Sequence, residues 1–160
     1  MADELSSAVV ESVKYYLNRI EHILKRLDAD QEAGRYLAVK LAPDMLDTGF
    51  NFAVAIKFAA RALCPPAKRD MPEIPEEQNC ATLLAYVQEV RSVIAPITVN
   101  EVRAPVSHIA GDGKLHQSAE DYITKFALPN MIFHITMAYA GLRHAGFSIG
   151  KADFDGLHVY

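Results

Sequence analysis

The chain has 160 residues, 51% of them hydrophobic and 22% charged, with a formal net charge of −4. That size suits one domain spanning 1–160 with a core of its own, and the composition argues against disorder. An acidic balance without a basic stripe excludes a phosphate-backbone partner, so no nucleic acid is expected, and no run approaches the ~18 uninterrupted apolar residues of a membrane span.

The first residues, MADELSSAVV, carry acids where a signal peptide would carry basic side chains, which sets a cytoplasmic expectation. In such a compartment Cys64 and Cys80 are expected as free thiols. From Ala2 to Asp28, Leu5, Val9, Val13, Leu17, Ile20, Leu24 and Leu27 recur every three to four positions, one face of a long amphipathic helix. Gly34 marks a break, and Tyr36-Leu37 begins a short segment.

Pro43-Asp44 reads as the start of a second long helix, with proline in the first turn and an acid at the positive end of the dipole. Met45, Phe52, Ala55, Ala59 and Leu63 form its apolar stripe, which stops before Pro65-Pro66. Four prolines make 65–78 an extended loop. Asn79 caps a third helix built on Leu83, Leu84, Val87, Val90, Val93 and Ile94 and closed by Pro96.

The period then changes. Val99, Val102, Val106 and Ile109 lead into Gly111-Asp112-Gly113 and Leu115, a hairpin signal near 102–117 in which Pro105 keeps the first strand at an edge. Ser118-Ala-Glu-Asp121 resembles a capping box opening the next helix. Pro129 should break or kink that helix near Leu128, with a restart at Asn130 that runs to a C-cap at Gly146. Phe147 and Phe154 anchor a glycine-punctuated tail. The pattern predicts an all-α up-down four-helix bundle with a short β-hairpin insert between the third and fourth long helices, a fold that builds sites from inward polar side chains.

No P-loop, GxGxxG, GxSxG, HExxH or CxxC is present, so the common enzyme classes lose their sequence support. His134 stands out: Phe133, Ile135 and Met137 around it are apolar, and a shielded imidazole suits a general base or a metal ligand. The bland alternative is a core histidine with satisfied nitrogens. His22 lies near the C-terminal end of the first helix, where the dipole also favours an imidazolium. Asp44 serves equally well as a helix-start acid. Asn51 and Tyr139 are candidates for a polar substrate-binding wall, Arg143 reads as a surface or capping residue, and His108, His116 and His158 are expected to be exposed.

Several strings in order along nearly the whole chain carry a family resemblance: Glu21-His22, LAPDM at 41–45, SAEDY, FALPNMIFHITMAYAGLRHAG at 126–146 and GKADFDG at 150–156. The chain resembles a domain-of-unknown-function branch of the DinB-like (YfiT-like) metalloenzyme superfamily. The resemblance implies a helical bundle, often a homodimer, in which three histidines from two helices hold a divalent metal such as Zn or Ni. The last two of those histidines lie four apart on the final long helix. His134 can take the first position, but Ala138 stands at the second, and 43–64 contains no histidine. The branch motif substitutes His22, Asp44 and His134, either as a metal set or as a metal-free acid/base cluster. The function these residues imply is an enzyme acting on a small molecule by proton transfer, isomerisation, cyclisation or metal-assisted transfer. The alternative is a ligand-binding or dimeric structural protein that has lost the metal site.

Overall fold

The computed structural model describes residues 2–160, with side chains from Ser7 onward; Leu5 of the first stripe lies outside the described side chains. Helix α1 runs Ala2–Asp28, and its stripe Val13, Leu17, Ile20, Leu24 and Leu27 is buried. After the short α2 (Ala33–Leu37) comes α3, Thr48–Leu63, five residues later than Pro43-Asp44 suggested. The cap decides the difference. Asp47 is extended, and its carboxylate accepts the Phe50 N–H at 2.7 Å, so the helix begins where an acceptor meets its orphan donors. Residues 41–46 form turns before it, and Asp44 is exposed among them.

Helix α3 is buried on almost every side. Only Phe50, Val54, Lys57 and Arg61 keep partial exposure, one narrow stripe at spacings of four, three and four. It packs on α6 (Leu128–His144) above all, then on α4 (Cys80–Ile94) and α1. Asn79 and Thr82 form the reciprocal capping box of α4.

Strands β1 (Val106–Ala110) and β2 (Gly113–Gln117) pair antiparallel, with Gly111 at φ 58° in the turn. The strand region is shorter than the valine run implied, because Val99 and Val102 lie in the turns that precede β1. Ser118 caps the single turn α5 (Ala119–Asp121) through the Asp121 N–H.

Pro129 does not break the following helix. A π-helical segment, Tyr122–Ala127, precedes α6 (Leu128–His144). At the junction the Leu128 N–H donates to the Ile123 carbonyl, and Pro129 falls in the first turn of α6, where its missing N–H costs least. Asn130 Nδ2 donates to the Phe126 carbonyl at 2.8 Å and secures the junction.

Gly146, at φ 92°, ends α6: its N–H bonds to Arg143 and that of Phe147 to Leu142, the paired bonds of a glycine C-cap. Helix α7 (Lys151–Asp155) lies against α1. The fold is thus mostly helical with one small hairpin, and no described helix is long and apolar enough to cross a membrane.

Candidate functional site

The polar centre of the α3–α6 contact is a pair 83 residues apart in sequence. His134 Nδ1 lies 2.9 Å from Asn51 Oδ1. Asn51 is 4% exposed, and its amide nitrogen donates to the Leu46 and Asp47 carbonyls at 3.1 and 2.9 Å. Those two oxygens accept only, so the amide is oriented and its own oxygen must face the imidazole. It follows that Nδ1 of His134 carries the proton and that Nε2 keeps its lone pair. Nε2 bonds to no described protein group, although the ring is half-buried. Burial pushes the His134 pKa below its ordinary value, so the base form prevails at neutral pH.

Aromatic side chains frame this imidazole. Phe58, two turns from Asn51 on the same face of α3, stacks on it with centroids 5.9 Å apart and planes 15° apart. Phe133 meets it edge-on at 5.1 Å and is itself 55% exposed. Phe126 of the π-helical segment packs on Phe58 at 5.7 Å, and His108 of β1 lies 4.2 Å from Phe126. His108 is therefore half-buried and not exposed as its place beside the hairpin turn suggested. Its Nε2 meets Gln117 Oε1 at 2.7 Å, while Nδ1 is shut off from solvent without a partner. Arg61 lies over both phenyl rings, 5.0 Å from the centre of Phe58 and 5.2 Å from that of Phe126.

The other expected site residues lie elsewhere. His22 Nε2 meets Asp153 Oδ1 at 2.9 Å, and Arg26 donates to the same oxygen at 2.6 Å. The Gly150 N–H bonds to Asp153 Oδ2, and Arg19 donates to the Ala152 and Asp153 carbonyls. Burial raises the Asp153 carboxyl, but His22, the Gly150 N–H and Arg26 outweigh it and leave the pKa at about 2. His22 and the GKADFDG string thus make a latch between α1 and α7. Tyr139 packs on Phe154 of α7, 5.9 Å between centroids, away from the Asn51–His134 pair. Arg143 donates to the Ile149 carbonyl, the capping role expected of it. Asp44 makes no hydrogen bond or ion pair among the described residues.

The three residues expected as a metal set are not brought together. Among the described residues no three His, Cys, Asp or Glu side chains stand where they can share a metal ion. His22 is held by Asp153, Asp44 is on an exposed turn, and His134 faces a neutral amide beside Ala138. This donor set does not fit Zn or Ni, which take deprotonated or neutral N, S and carboxylate ligands in convergent geometry. A cavity of about 80 Å³ lined by Val9, Val10, Val99, Val102 and Ile123, with Glu120 and Thr124, contains none of the three residues.

Sequence reasoning found His134 and Asn51, discounted His108 as exposed, and gave Phe58 and Arg61 no place in the site. The spacing of Asn51, Phe58 and Arg61 along one helix face was a readable signal, but nothing local tied that face to His134.

Comparison with known proteins agrees with the fold. A crystal structure of a DinB family member protein from Shewanella denitrificans superposes with a TM-score of 0.82 at 22% identity, covering 98% of this chain and 94% of that one. No curated protein matches. The model of DUF1993, a domain of unknown function, matches residues 5–155, and the chain belongs to that family.

Proposed function

We propose that this chain is a single-domain up-down four-helix bundle acting as a small-molecule enzyme, in which His134 Nε2 is the proton-transferring base. The observation that carries the reading is the anchored Asn51 amide, which holds the proton on Nδ1 and leaves Nε2 as a lone-pair donor in a half-buried aromatic setting. A neutral amide, unlike a carboxylate, gives the imidazolium little extra stability. A proton taken up at Nε2 is therefore readily returned, which suits isomerisation or another reversible proton shift better than hydrolysis. His22 and Asp44 take no step in this scheme.

The test is direct. In nitrogen-detected spectra of the intact protein, His134 should appear as the neutral Nδ1–H tautomer, and diethyl pyrocarbonate should acylate it at Nε2. His134→Ala should remove both signals and leave the helical dichroism intact. An Nε2–H tautomer in the wild type would overturn the assignment.

The same reading takes the chain as a homodimer in the cytoplasm, supported by the DinB-like resemblance and by the exposed Phe133 ring on α6. Helix α3 offers that interface little, since Phe52, Ile56 and Phe58 are buried within the chain and Phe50 is partly exposed.

A further inference from the structure

Eight arginines occur in the sequence, and seven are engaged: Arg19, Arg26, Arg35, Arg69, Arg91, Arg103 and Arg143 each hydrogen-bond or ion-pair with a neighbour. Arg61 is the exception. It pairs with no described carboxylate, and its one polar neighbour is the Tyr122 phenol, whose pKa burial raises and Arg61 pulls part of the way back. In a chain with more acids than bases this cation has no carboxylate partner among the described residues. The reason is local: the stripe of α3 that carries it continues through Lys57, already bound to the Pro72 carbonyl and Glu73, and its other neighbours are aromatic rings.

A guanidinium lying over two phenyl rings uses its face for the cation–π contact. The N–H groups not turned to the Tyr122 phenol remain for a ligand, and the guanidinium edge is a fork matched to the two oxygens of a carboxylate or phosphate. The same Phe58 ring carries Arg61 at 5.0 Å and the His134 ring at 5.9 Å, so the cation and the free base are no farther apart than those two distances together. The two low-polarity rings beside Arg61 strengthen an ion pair made there. His108 Nδ1, shut off from solvent without a partner on the adjoining Phe126, adds a second unmet hydrogen-bonding valence to this wall.

We propose that Arg61 is the anion-binding group of the His134 site and that its substrates are small organic anions with a planar apolar body, bearing a carboxylate or a phosphate. This rests on the proton-transfer reading of His134 and narrows it: the anion is held by Arg61, and the proton to be moved lies toward Nε2.

Benzoate and phenyl phosphate are the probes, with neutral benzamide and inorganic phosphate as controls. Titrated into the intact protein, the two aromatic anions should shift the Arg61 Nε–H and His134 ring resonances saturably, and benzamide should not. Saturation by inorganic phosphate as well would show that the anion alone suffices, and its failure would show that the apolar body is required; both keep Arg61 as the anchor. Arg61→Gln should weaken the anions by about tenfold or more, with partial recovery in Arg61→Lys. Both variants keep a long side chain on the rings, so folding is preserved, and the wild-type titration stands whether or not they fold. Anion binding unchanged in Arg61→Gln, or absent in the wild type, would overturn the proposal. The His134 tautomer and the anion titration, both read in the wild-type protein, separate the two readings. If anions still bind Arg61 while His134 shows the wrong tautomer, the base assignment fails and the anion site survives; the opposite pattern sinks the anion site alone.

Discussion

His134 has a neutral partner in Asn51, and burial sets the direction of its titration. Its pKa is lowered by burial, so between the ordinary value and the folded value the unfolded chain binds a proton that the folded chain refuses. The stability contribution is therefore complete above the ordinary histidine pKa of about 6.5 and is lost as pH falls through the folded pKa. Asn51→Asp should reverse the shift by placing a carboxylate against Nδ1, and imidazole resonances followed against pH should move to a higher midpoint. A midpoint left unchanged would mean that Asn51 does not face the ring. At this scale the sequence was informative about chemistry and poor about partners. His134 could be singled out from its apolar neighbours, but the oxygen that selects its tautomer lies 83 residues away.

Between elements, close approach and capping carry the argument. A Cβ built on Gly141 of α6 would lie 2.1 Å from Thr48 Oγ1 and 3.3 Å from Thr48 Cβ on α3, and Thr48 is buried with its hydroxyl donating to the Val39 carbonyl. Gly141→Ala should destabilise the fold by about 1–3 kcal/mol in denaturant unfolding, because the helices must part or Thr48 must lose its bond. Gly34→Ala, which meets nothing within 4 Å, should be neutral or stabilising. The α1–α7 latch makes a separate prediction. Asp153→Asn should cost about 1 kcal/mol at neutral pH by weakening the bonds to Arg26 and His22. Since the Asp153 pKa is depressed to about 2, its contribution is present above the ordinary aspartate pKa and is lost as pH falls through about 2. The acid limb of the stability curve should flatten in the variant. Amide exchange of 150–156 should quicken while α3 and α6 stay protected; uniform loss of protection would contradict a local latch.

Across the whole molecule, burial settles the cysteines. Cys64 and Cys80 are free and buried, and burial first of all pushes both thiols up to about 11. Neither is a nucleophile at neutral pH. A disulfide reagent should leave both unmodified in the native protein and titrate both in denaturant; rapid native labelling would show that the packing around α3 and α4 opens easily. Sedimentation tests the homodimer: a species of twice the chain mass is expected, and a single-chain mass at high concentration would refute it.

The helical stripes, the Asn79 cap, the hairpin turn at Gly111 and the stop at Gly146 were legible because each is written in residues that touch along the chain. Apolar period, side-chain acceptors and positive-φ glycines act within a turn or two. The α3 start was misplaced because Pro43-Asp44 offered a helix start before the Asp47 cap that the structure uses, and the irregularity expected near Leu128 takes the form of a π-helical segment, which periodicity does not reveal. Which polar groups meet was decided only by the packing of α3 on α6 and of α7 on α1. Nothing within a few residues of His22 indicates Asp153, and nothing near His134 indicates Asn51, Phe58 or Arg61. Side chains brought together by helix packing are neighbours in space alone, and their chemistry appears only when those helices are in place.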